Sequence, residues 1–567
     1  DTLNLINAKM GTLDPIAATG TASGQVIMQI YDALMNYKDG TTTIEPLLAK
    51  DYTVSDDFTT YEFKIHPDAT FHNGDPITAS DVRYSFERLA ASKHSRRSGF
   101  LLNVLGVKHE TKTVDTKGDK DSKAETKRYK PKSIAVEAID KKTVRITLQQ
   151  PFHAALQMLA YGSFAIVPEG VVGDIKGYEG RMSYNKFQSA PEGAGSGPFK
   201  YETFEPSTEA AVSKYEDYYG NKPNVDRVHW QVIEKDAAQF TYIMEKNADL
   251  FSIPSSKFKP QQVSFNKTDE VGRKYGTYGP VRNGETLNMV RVPLIVTFYV
   301  GFNMEKVPKP VRKAMAYVMN QGLMVDEVFK GRGKAAFHFV PPGIWPGGAD
   351  AYTQHAKQKY PYGYNKTMID KAAQVMEEAG YGPDNKYTME WTQYQSTAWK
   401  SMAKILQRQL GQAHIDMNIT QARFTTLLTR GRKGQLSTFT LGWIADWPSA
   451  DNFLQLLNPP MTQTEPGAGA PGEAKIYTNW QPSNGSAYKE ATQAYNKIER
   501  NQVPTEQADQ ARAEATYTME EANWEDVSMV PVYHSVGDEF WYDRVTYPTP
   551  YGGMGRSRQR FTDISIK

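Results

Sequence analysis

Asp446 lies in the segment GWIADWPSADNF (442–453), between Trp443 and Trp447 and two residues before Pro448. A carboxylate among large aromatic side chains is unusual, because charged groups are rarely buried without a partner. Three kinds of chemistry suit it: general acid or base catalysis, an ion pair with a cationic ligand, or a side-chain cap of the turn before Pro448. The other chemically active residues of the chain discriminate among these roles.

Catalytic residue sets are incomplete in this sequence. Ser-x-x-Lys occurs at 183–186, 401–404 and 486–489, but the S-D-N and K-T-G motifs that complete a penicillin-recognising site are absent, as is the G-x-S-x-G nucleophile elbow. Cysteine is absent, which excludes thiol catalysis, disulfides and thiolate metal sites. The ten histidines are scattered and form no H-E-x-x-H motif. The sequence therefore predicts a protein that is not an enzyme and holds no metal or cofactor.

The composition favours a globular protein that binds small molecules. Of the 567 residues, 40% are hydrophobic and 23% are charged, which is typical of soluble globular proteins, and the net charge of +2 favours neither nucleic acid nor an anionic membrane. Aromatic residues reach 12%, with 33 Tyr and 9 Trp. Such an excess favours a surface that grips small molecules or sugars, because rings provide rigid contact area.

Hydrophobic periodicity and turn residues predict the elements of the first half. The stretch 24–37 has a helical apolar face, and Thr78 with Asp81 forms a capping box that starts a helix. Residues 107–132 are almost all charged or polar, with both signs interleaved and no aromatic side chains for base stacking, so we expect a solvated, mobile excursion. The Gly-rich stretch 193–206 lacks G-K-[ST] and predicts a bend rather than a phosphate loop.

The second half repeats an αβ rhythm. A helix is predicted to begin in the turn of Pro310 and to stop at Gly331, and Asp370 is predicted to cap a helix that ends at Gly380. The pattern then predicts a strand, a helix at 397–411 and another strand, and residues 459–473 are expected to form an exposed, mobile loop. The overall expectation is mixed α/β.

The order of several segments resembles one protein family, the extracytoplasmic solute-binding proteins of ABC importers of the oligopeptide, dipeptide and nickel-binding type (family 5). The resemblance runs from LDP at 13–15 to VPVYH at 530–534. The segments that carry it are FHNGDPITASDVRYSFER (71–88), TVRITLQQPF (143–152), GSGPFKYE (195–202), GFNMEKVPKPVRKAMAYVMNQ (301–321) and GWIADWPSADNF (442–453).

The resemblance implies an α/β fold of the type II periplasmic-binding-protein class, a two-lobed clamp with an extra inserted subdomain. Its implied boundaries are 1–43, 186–285 and 530–567 for a discontinuous lobe I, 44–185 for the inserted subdomain and 286–529 for lobe II. Ligand is expected between the lobes, which close by a hinge motion.

The implied function is a substrate-binding receptor that captures an oligopeptide or a related amine-bearing solute and delivers it to permease subunits in the membrane. The implied location is extracytoplasmic, in the periplasm or tethered to the cell surface as a lipoprotein, and the receptor is expected to be a monomer that binds no nucleic acid. An oligosaccharide or metal-chelate receptor is the alternative within the family, with His72, His94 and His338 as candidate metal ligands. A peptide or glycoside hydrolase and a chaperone-like or adhesion protein are the alternatives from other classes.

The resemblance also implies site residues. In peptide-binding members the Asp of the W-x-x-D segment meets the ligand's α-ammonium, and Asp446 has that position; a turn cap before Pro448 stays the alternative. Dipeptide-specific members carry an Arg on the strand before the helix at 398–410, where this chain has Gln393 at or next to the position, which favours a longer peptide or an amine without a nearby carboxylate. The candidate ligand contacts are Asp446, Trp443, Trp447, Tyr31, Gln393, Tyr394, Trp391 and Trp345, with core packing as the alternative for each aromatic residue.

Overall fold

The structure is a computed structural model that describes residues 1–115, 125–173, 180–464 and 474–567. Within these ranges the chain forms two compact units: unit 1 contains residues 1–292 and 538–567, and unit 2 contains residues 293–537. Both units combine helices and strands, which confirms the mixed α/β prediction. The predicted division into two lobes and an inserted subdomain, with its boundaries, stays a prediction.

Twenty-three strands are assigned in the described ranges. They are β1 (Thr2–Asn7), β2 (Met35–Tyr37), β3 (Ile44–Pro46), β4 (Ala49–Val54), β5 (Thr60–Ile65), β6 (Thr111–Asp115), β7 (Glu125–Tyr129), β8 (Val136–Ala138), β9 (Thr143–Thr147), β10 (Phe199–Glu205), β11 (Glu209–Lys214), β12 (Arg227–Val232), β13 (Leu250–Phe251), β14 (Val263–Thr268), β15 (Lys274–Tyr278), β16 (Leu287–Phe302), β17 (Gly333–Ala335), β18 (Tyr387–Tyr394), β19 (Ile415–Ala422), β20 (Thr438–Ile444), β21 (Met529–Trp541), β22 (Val545–Thr546) and β23 (Ser565–Ile566).

Fourteen α-helices accompany them in the same ranges. They are α1 (Thr21–Ile30), α2 (Ala79–Ala91), α3 (Ala155–Leu159), α4 (Tyr184–Ser189), α5 (Asp236–Met244), α6 (Lys309–Val318), α7 (Gln321–Leu323), α8 (Gly348–Lys359), α9 (Ile369–Glu378), α10 (Thr397–Gly411), α11 (Phe424–Arg432), α12 (Ala450–Leu454), α13 (Tyr488–Arg500) and α14 (Glu506–Asp526). Across the described residues, none of these helices combines the length and apolarity that crossing a bilayer requires.

Unit 1 contains two principal sheets. In the first, β1 pairs in parallel with β12 and β13, while β10, β11 and β12 form an antiparallel meander. In the second, β4, β5, β9 and β8 are antiparallel neighbours. The predicted capping box at the start of α2 is confirmed. The Thr78 side chain accepts the backbone N–H of Asp81, and the Asp81 side chain accepts the backbone N–H of Thr78.

The helix predicted over 24–37 ends early. α1 stops at Ile30, and Tyr31 is extended, because the carbonyl of Ile30 accepts the backbone N–H groups of Ser196 (3.0 Å) and Gly197 (2.8 Å) instead of continuing a helical ladder. A Cβ at Gly195 would lie 2.3 Å from that carbonyl oxygen. The Gly-rich bend therefore allows a close backbone approach that terminates α1.

The charged stretch 107–132 was predicted to be a solvated, mobile excursion, and its described flanks contain two paired strands that the prediction did not include. β6 and β7 form an antiparallel ladder in which Thr111 pairs with Tyr129 at one end and Asp115 pairs with Glu125 at the other. Lys108 and Lys130 also make backbone hydrogen bonds. Backbone pairing does not depend on side-chain polarity, so polar strands can form such a ladder. The central residues 116–124 lie outside the described residues.

Unit 2 is built around β16, β18, β19 and β20. β20 pairs antiparallel with β16 and parallel with β18, and β18 pairs parallel with β19. α6, α9 and α10 contribute the apolar side chains that pack on this sheet. In the β16–β20 ladder Gly442 lies opposite Phe298 and Gly301 opposite Phe439. A Cβ at either glycine would lie 2.6 Å from the facing ring, so each glycine makes room for the cross-strand aromatic side chain.

Two helix predictions in unit 2 need correction. The helix expected from Pro310 to Gly331 is confirmed at its start, but α6 ends at Val318, and the Asn320 side chain accepts a hydrogen bond from the Leu323 N–H and starts the short α7. The helix expected to be capped by Asp370, and therefore to begin at Lys371, begins two residues earlier, at Ile369. Of the loop expected at 459–473, residues 459–462 form a 3-10 turn, and residues 465–473 lie outside the described residues.

Glu520, on α14, is a buried carboxylate that connects this helix to the segment before α8. Its two oxygens accept the backbone N–H groups of Phe339 (2.9 Å) and Val340 (2.8 Å), and its side chain is fully buried. Burial raises the pKa of Glu520 from 4.5 to about 8, although the two N–H bonds oppose the rise. Nearby, burial lowers the pKa of His534 to about 3 and that of His338 well below its ordinary value.

We expect Glu520 to make the stability of unit 2 decrease as the pH rises from about 5 to 8. In this window the folded chain retains a proton that the unfolded chain releases, so the free energy of unfolding falls with pH. Glu520→Gln should remove this slope, and urea denaturation at several pH values would measure it. Because Gln leaves one N–H without its acceptor, the slopes and not the absolute stabilities are compared.

Glu506→Gln is the matched control, since Glu506 is exposed in the first turn of the same helix. His338 and His534 have lowered pKa values, so they make the free energy of unfolding rise with pH below about pH 6.5. This contribution is the same in both variants and cancels when their slopes are compared. An unchanged slope in Glu520→Gln would contradict the assignment.

Candidate functional site

Three parallel strands of unit 2 end at one sheet edge. β18 is central, with β19 on one side and β20 on the other, and all three run in the same direction. Each is followed by a helix: α10, α11 and α12 respectively. In α/β sheets, ligands bind outside the carboxyl ends of parallel strands. The residues that follow these strands are therefore the first candidates for a site in unit 2.

Asp446 follows β20 at this edge, and Asn452 on α12 fixes its position. The Asn452 Oδ1 accepts hydrogen bonds from the Asp446 backbone N–H (3.1 Å) and the Trp443 indole N–H (2.9 Å). Its Nδ2 lies 3.5 Å from the Asp446 Oδ2, at the limit of a hydrogen bond. Asn452 is fully buried, whereas Asp446 and Trp443 are partly exposed. One buried amide thus orients both the acid and its aromatic neighbour.

The two tryptophans around Asp446 have different environments. Trp447 is 6% exposed and donates its indole N–H to the Asp451 Oδ1 (3.3 Å), so it packs inward beside α12. The Trp443 ring is partly exposed, and the Lys475 ammonium lies 5.6 Å from its centroid. A tryptophan face attracts cations through its quadrupole. Trp443 therefore already makes a cation–π contact, with Lys475, at the strand end that carries Asp446.

Exposed apolar side chains occur at the same strand ends. Tyr394, the last residue of β18, is 44% exposed, and Ile444, the last residue of β20, is 61% exposed. Phe424, the first residue of α11, is 51% exposed, and its ring lies 6.2 Å from that of Tyr394 in an edge-to-face arrangement. Exposed apolar side chains that cluster in this way are typical of interaction sites.

Trp391 and Gln393, predicted ligand contacts on β18, are both fully buried. Trp391 belongs to the apolar core of unit 2 and donates its indole N–H to the Gln393 Oε1 (2.9 Å). The Gln393 Nε2 has no hydrogen-bond acceptor among the described residues. The structure thus brings Gln393 and Tyr394 to the same strand end as Asp446, but the Gln393 oxygen is already engaged within the core.

Trp345 and Tyr31, also predicted ligand contacts, are both buried. Trp345 is 3% exposed and packs on His338, with ring centroids 4.1 Å apart, while its indole N–H donates to the Tyr517 hydroxyl (3.2 Å). Tyr31 is in unit 1 and 2% exposed, and burial raises the pKa of its hydroxyl well above the ordinary value. The ligand role of each predicted residue stays a prediction.

The described residues contain no cluster of three or more His, Asp or Glu side chains placed to hold a metal ion. The three histidines predicted from sequence as candidate metal ligands each have other contacts. The His72 Nε2 in unit 1 is hydrogen-bonded to the Gly197 carbonyl oxygen (2.9 Å). The His94 ring in the same unit stacks on the Tyr184 ring. His338 in unit 2 contacts His355, with 2.8 Å between Nε2 and Nδ1.

Sequence reasoning missed Asn452 and Phe424. Asn452 gives no local signal, because its partners are six and nine residues away and its role depends on α12 folding back on the strand end. Phe424 is the second residue after β19. Treating the residues after every predicted parallel strand as candidates would have included it.

Comparison with known proteins gives a consistent result. Residues 43–463 match the family model described as bacterial extracellular solute-binding proteins, family 5, middle. The glutathione-binding protein GsiB of Escherichia coli K12 is 24% identical over 461 residues, which cover 80% of this chain and 76% of that protein.

Two solved structures share the fold over the whole chain. The murein tripeptide binding protein MppA of Escherichia coli has a TM-score of 0.70 at 18% identity, and the match covers 100% of this chain and 98% of the MppA chain. The periplasmic binding protein DppA of Helicobacter pylori, in complex with the peptide STSA, has a TM-score of 0.68 at 19% identity, with coverages of 100% and 98%.

Asn452→Ala should lower the free energy of unfolding of the protein by about 1–3 kcal/mol, because it leaves the Trp443 indole N–H and the Asp446 N–H without their acceptor. Urea denaturation followed by tryptophan fluorescence would measure the change. Asn418→Ala is the matched control: Asn418 is exposed on β19 and bonds Glu390 (2.8 Å), so its loss should cost no more than about 0.5 kcal/mol. Equal losses in the two variants would contradict the role of Asn452.

Proposed function

This chain belongs to the bacterial extracellular solute-binding proteins of family 5, the receptors of ABC importers, and we propose that it captures peptides with a free α-amino group. The observation that carries this proposal is the Asp446 carboxylate, held by Asn452 at the carboxyl edge of the parallel strands of unit 2. A carboxylate held in this way accepts charge-assisted hydrogen bonds from an ammonium group.

The local environment of Asp446 suits a primary ammonium ion. Asp446 is partly exposed, so a ligand can reach it, and its backbone is fixed before ligand arrives. Preorganisation of this kind reduces the entropy lost on binding. The neighbouring Trp443 ring makes a cation–π contact with the Lys475 ammonium, so the Asp446 carboxylate is the group proposed to bind the ammonium of the ligand.

The relatives support a peptide as the ligand. Their names specify glutathione for GsiB, a murein tripeptide for MppA and the peptide STSA for DppA. The edge of unit 2 adds exposed apolar side chains at Tyr394, Phe424 and Ile444, which would contact peptide side chains. Extended peptides are held chiefly through main-chain hydrogen bonds, and such pockets tolerate varied side chains.

The remaining parts of the proposal follow from the family. We propose that the protein acts outside the cytoplasm, as a monomer tethered as a lipoprotein or free in the periplasm, and hands its ligand to membrane permease subunits. Uptake would be driven by the transporter, so the receptor would need no catalytic group of its own. Native mass spectrometry of the purified protein should reveal co-purifying peptides, and assays with model peptides should show no turnover. Bound sugars or metal chelates instead of peptides would contradict the proposal.

Asp446→Asn should weaken the binding of a free tetrapeptide about tenfold or more, because the amide cannot form an ion pair with the ammonium. Isothermal titration calorimetry with tetraalanine and with N-acetyl-tetraalanine would test this. Acetylation should weaken binding to the wild-type protein by a similar factor and should have little further effect on Asp446→Asn.

Asp416→Asn is the matched control, since Asp416 lies near the beginning of β19, at the opposite end of the parallel strands, and pairs there with Lys386. This variant should bind tetraalanine as the wild type does. Wild-type affinity in Asp446→Asn, or an equal loss in both variants, would refute the proposed role of Asp446.

A further inference from the structure

Lys475 is an exposed cation beside the carboxylate of the proposed site. Its ammonium lies 5.6 Å from the centroid of the Trp443 ring. In the part of the chain that the structure describes, no acidic side chain forms an ion pair with Lys475. Because no described carboxylate compensates this positive charge, it attracts an anionic group that approaches Trp443.

The backbone that carries Lys475 is fixed along one face of β20. The next residue, Ile476, is fully buried, and the Tyr477 ring packs on that of Phe439, with 6.0 Å between the two centroids. Phe439 and Trp443 lie on the same face of β20, since side chains alternate along a strand and the two residues are four apart. Lys475 therefore reaches the carboxyl end of this strand from an anchored segment.

The Trp443 ring connects Lys475 to Asp446. The indole N–H of Trp443 and the backbone N–H of Asp446 donate to one oxygen, the Asn452 Oδ1. The ring therefore has Asp446 beside its N–H edge and the Lys475 ammonium over its face. A solute that binds to one of these two charged groups also experiences the field of the other.

The two charges impose different requirements on the first residue of a bound peptide. An α-ammonium at Asp446 brings the Cα atom of that residue, and the side chain that it carries, next to Trp443. Lysine has a flexible four-carbon stem, so the Lys475 ammonium adjusts to the position of a group near the ring. A carboxylate on the first side chain is attracted by Lys475, whereas a cationic side chain is repelled.

We propose that Lys475 is a specificity-determining residue that favours peptides with an acidic side chain at the first residue. This inference rests on the proposed function, because it takes the α-ammonium to lie at Asp446, and it adds the class of side chain that the site prefers. Lys475 is exposed, so the attraction is modest and is screened by salt. The result is a preference among peptides, while binding itself still depends on Asp446.

Isothermal titration calorimetry with the peptides Asp-Ala-Ala-Ala, Asn-Ala-Ala-Ala and Lys-Ala-Ala-Ala tests the preference in the wild-type protein and in variants of Lys475. Asp and Asn have the same shape, so their comparison isolates the charge of the first side chain, and the C-terminus is identical in all three peptides. We expect the wild type to bind the Asp peptide about threefold or more tightly than the Asn peptide, and the Lys peptide most weakly. The difference should shrink as the sodium chloride concentration is raised.

Lys475→Gln should bind the Asp and Asn peptides equally, and Lys475→Glu should reverse the order and prefer the Lys peptide. Lys386→Gln is the matched control. Lys386 is an exposed lysine just before β18, at the opposite end of the parallel strands, where it pairs with Asp416 (3.2 Å). This variant should keep the wild-type preference.

Equal binding of the Asp and Asn peptides by the wild type, or a preference that persists in Lys475→Gln, overturns the assignment of Lys475. An equal loss of affinity for all three peptides in Lys475→Gln also overturns it, because Lys475 would then act on a group that the peptides share. Each of these results leaves the peptide receptor in place when Asp446→Asn still weakens binding. Failure of every peptide to bind overturns both proposals.

Discussion

Parallel strand direction is the constraint on which the functional part of unit 2 depends. Because β18, β19 and β20 run in the same direction, their carboxyl ends meet at one edge, and each chain segment must return through a helix before the next strand begins. Residues that are distant in sequence, Tyr394, Phe424 and Asp446, consequently lie at the ends of adjacent strands. The core beneath them, from Trp391 to the side chains of α6 and α10, keeps the strands in register.

Asn452 converts this general placement into a defined geometry. A strand end followed by Pro448 has several possible paths, but one buried amide oxygen accepts both the Trp443 indole N–H and the Asp446 backbone N–H. Leaving either donor unpaired in this environment is costly, so the alternatives to the observed path are disfavoured. The carboxylate is therefore positioned by the protein itself, as a site that must discriminate among small solutes requires.

Local sequence patterns predicted those features whose causes are local. The capping box at Thr78, the start of α6 near Pro310 and the strand–helix–strand order of β18, α10 and β19 were read correctly, because each depends on neighbouring residues. The end of α1 was not predictable in this way, since Ser196 and Gly197 provide the competing donors from far along the chain. The burial of Trp391 and the role of Asn452 depend in the same way on tertiary packing.

Gln393 is a neutral side chain in the core beneath the carboxyl edge, and the packing of this chain favours its neutrality. Its side chain is fully buried, and its amide oxygen accepts the Trp391 indole N–H. An arginine at this position would have no acceptor for that N–H and would place a charge in the apolar core, which costs several kcal/mol unless it is paired. The charged side chain proposed to bind the ligand, Asp446, follows the end of β20, where it is partly exposed. A neutral core beneath a partly exposed carboxylate therefore suits both the stability of unit 2 and the proposed recognition of an ammonium group.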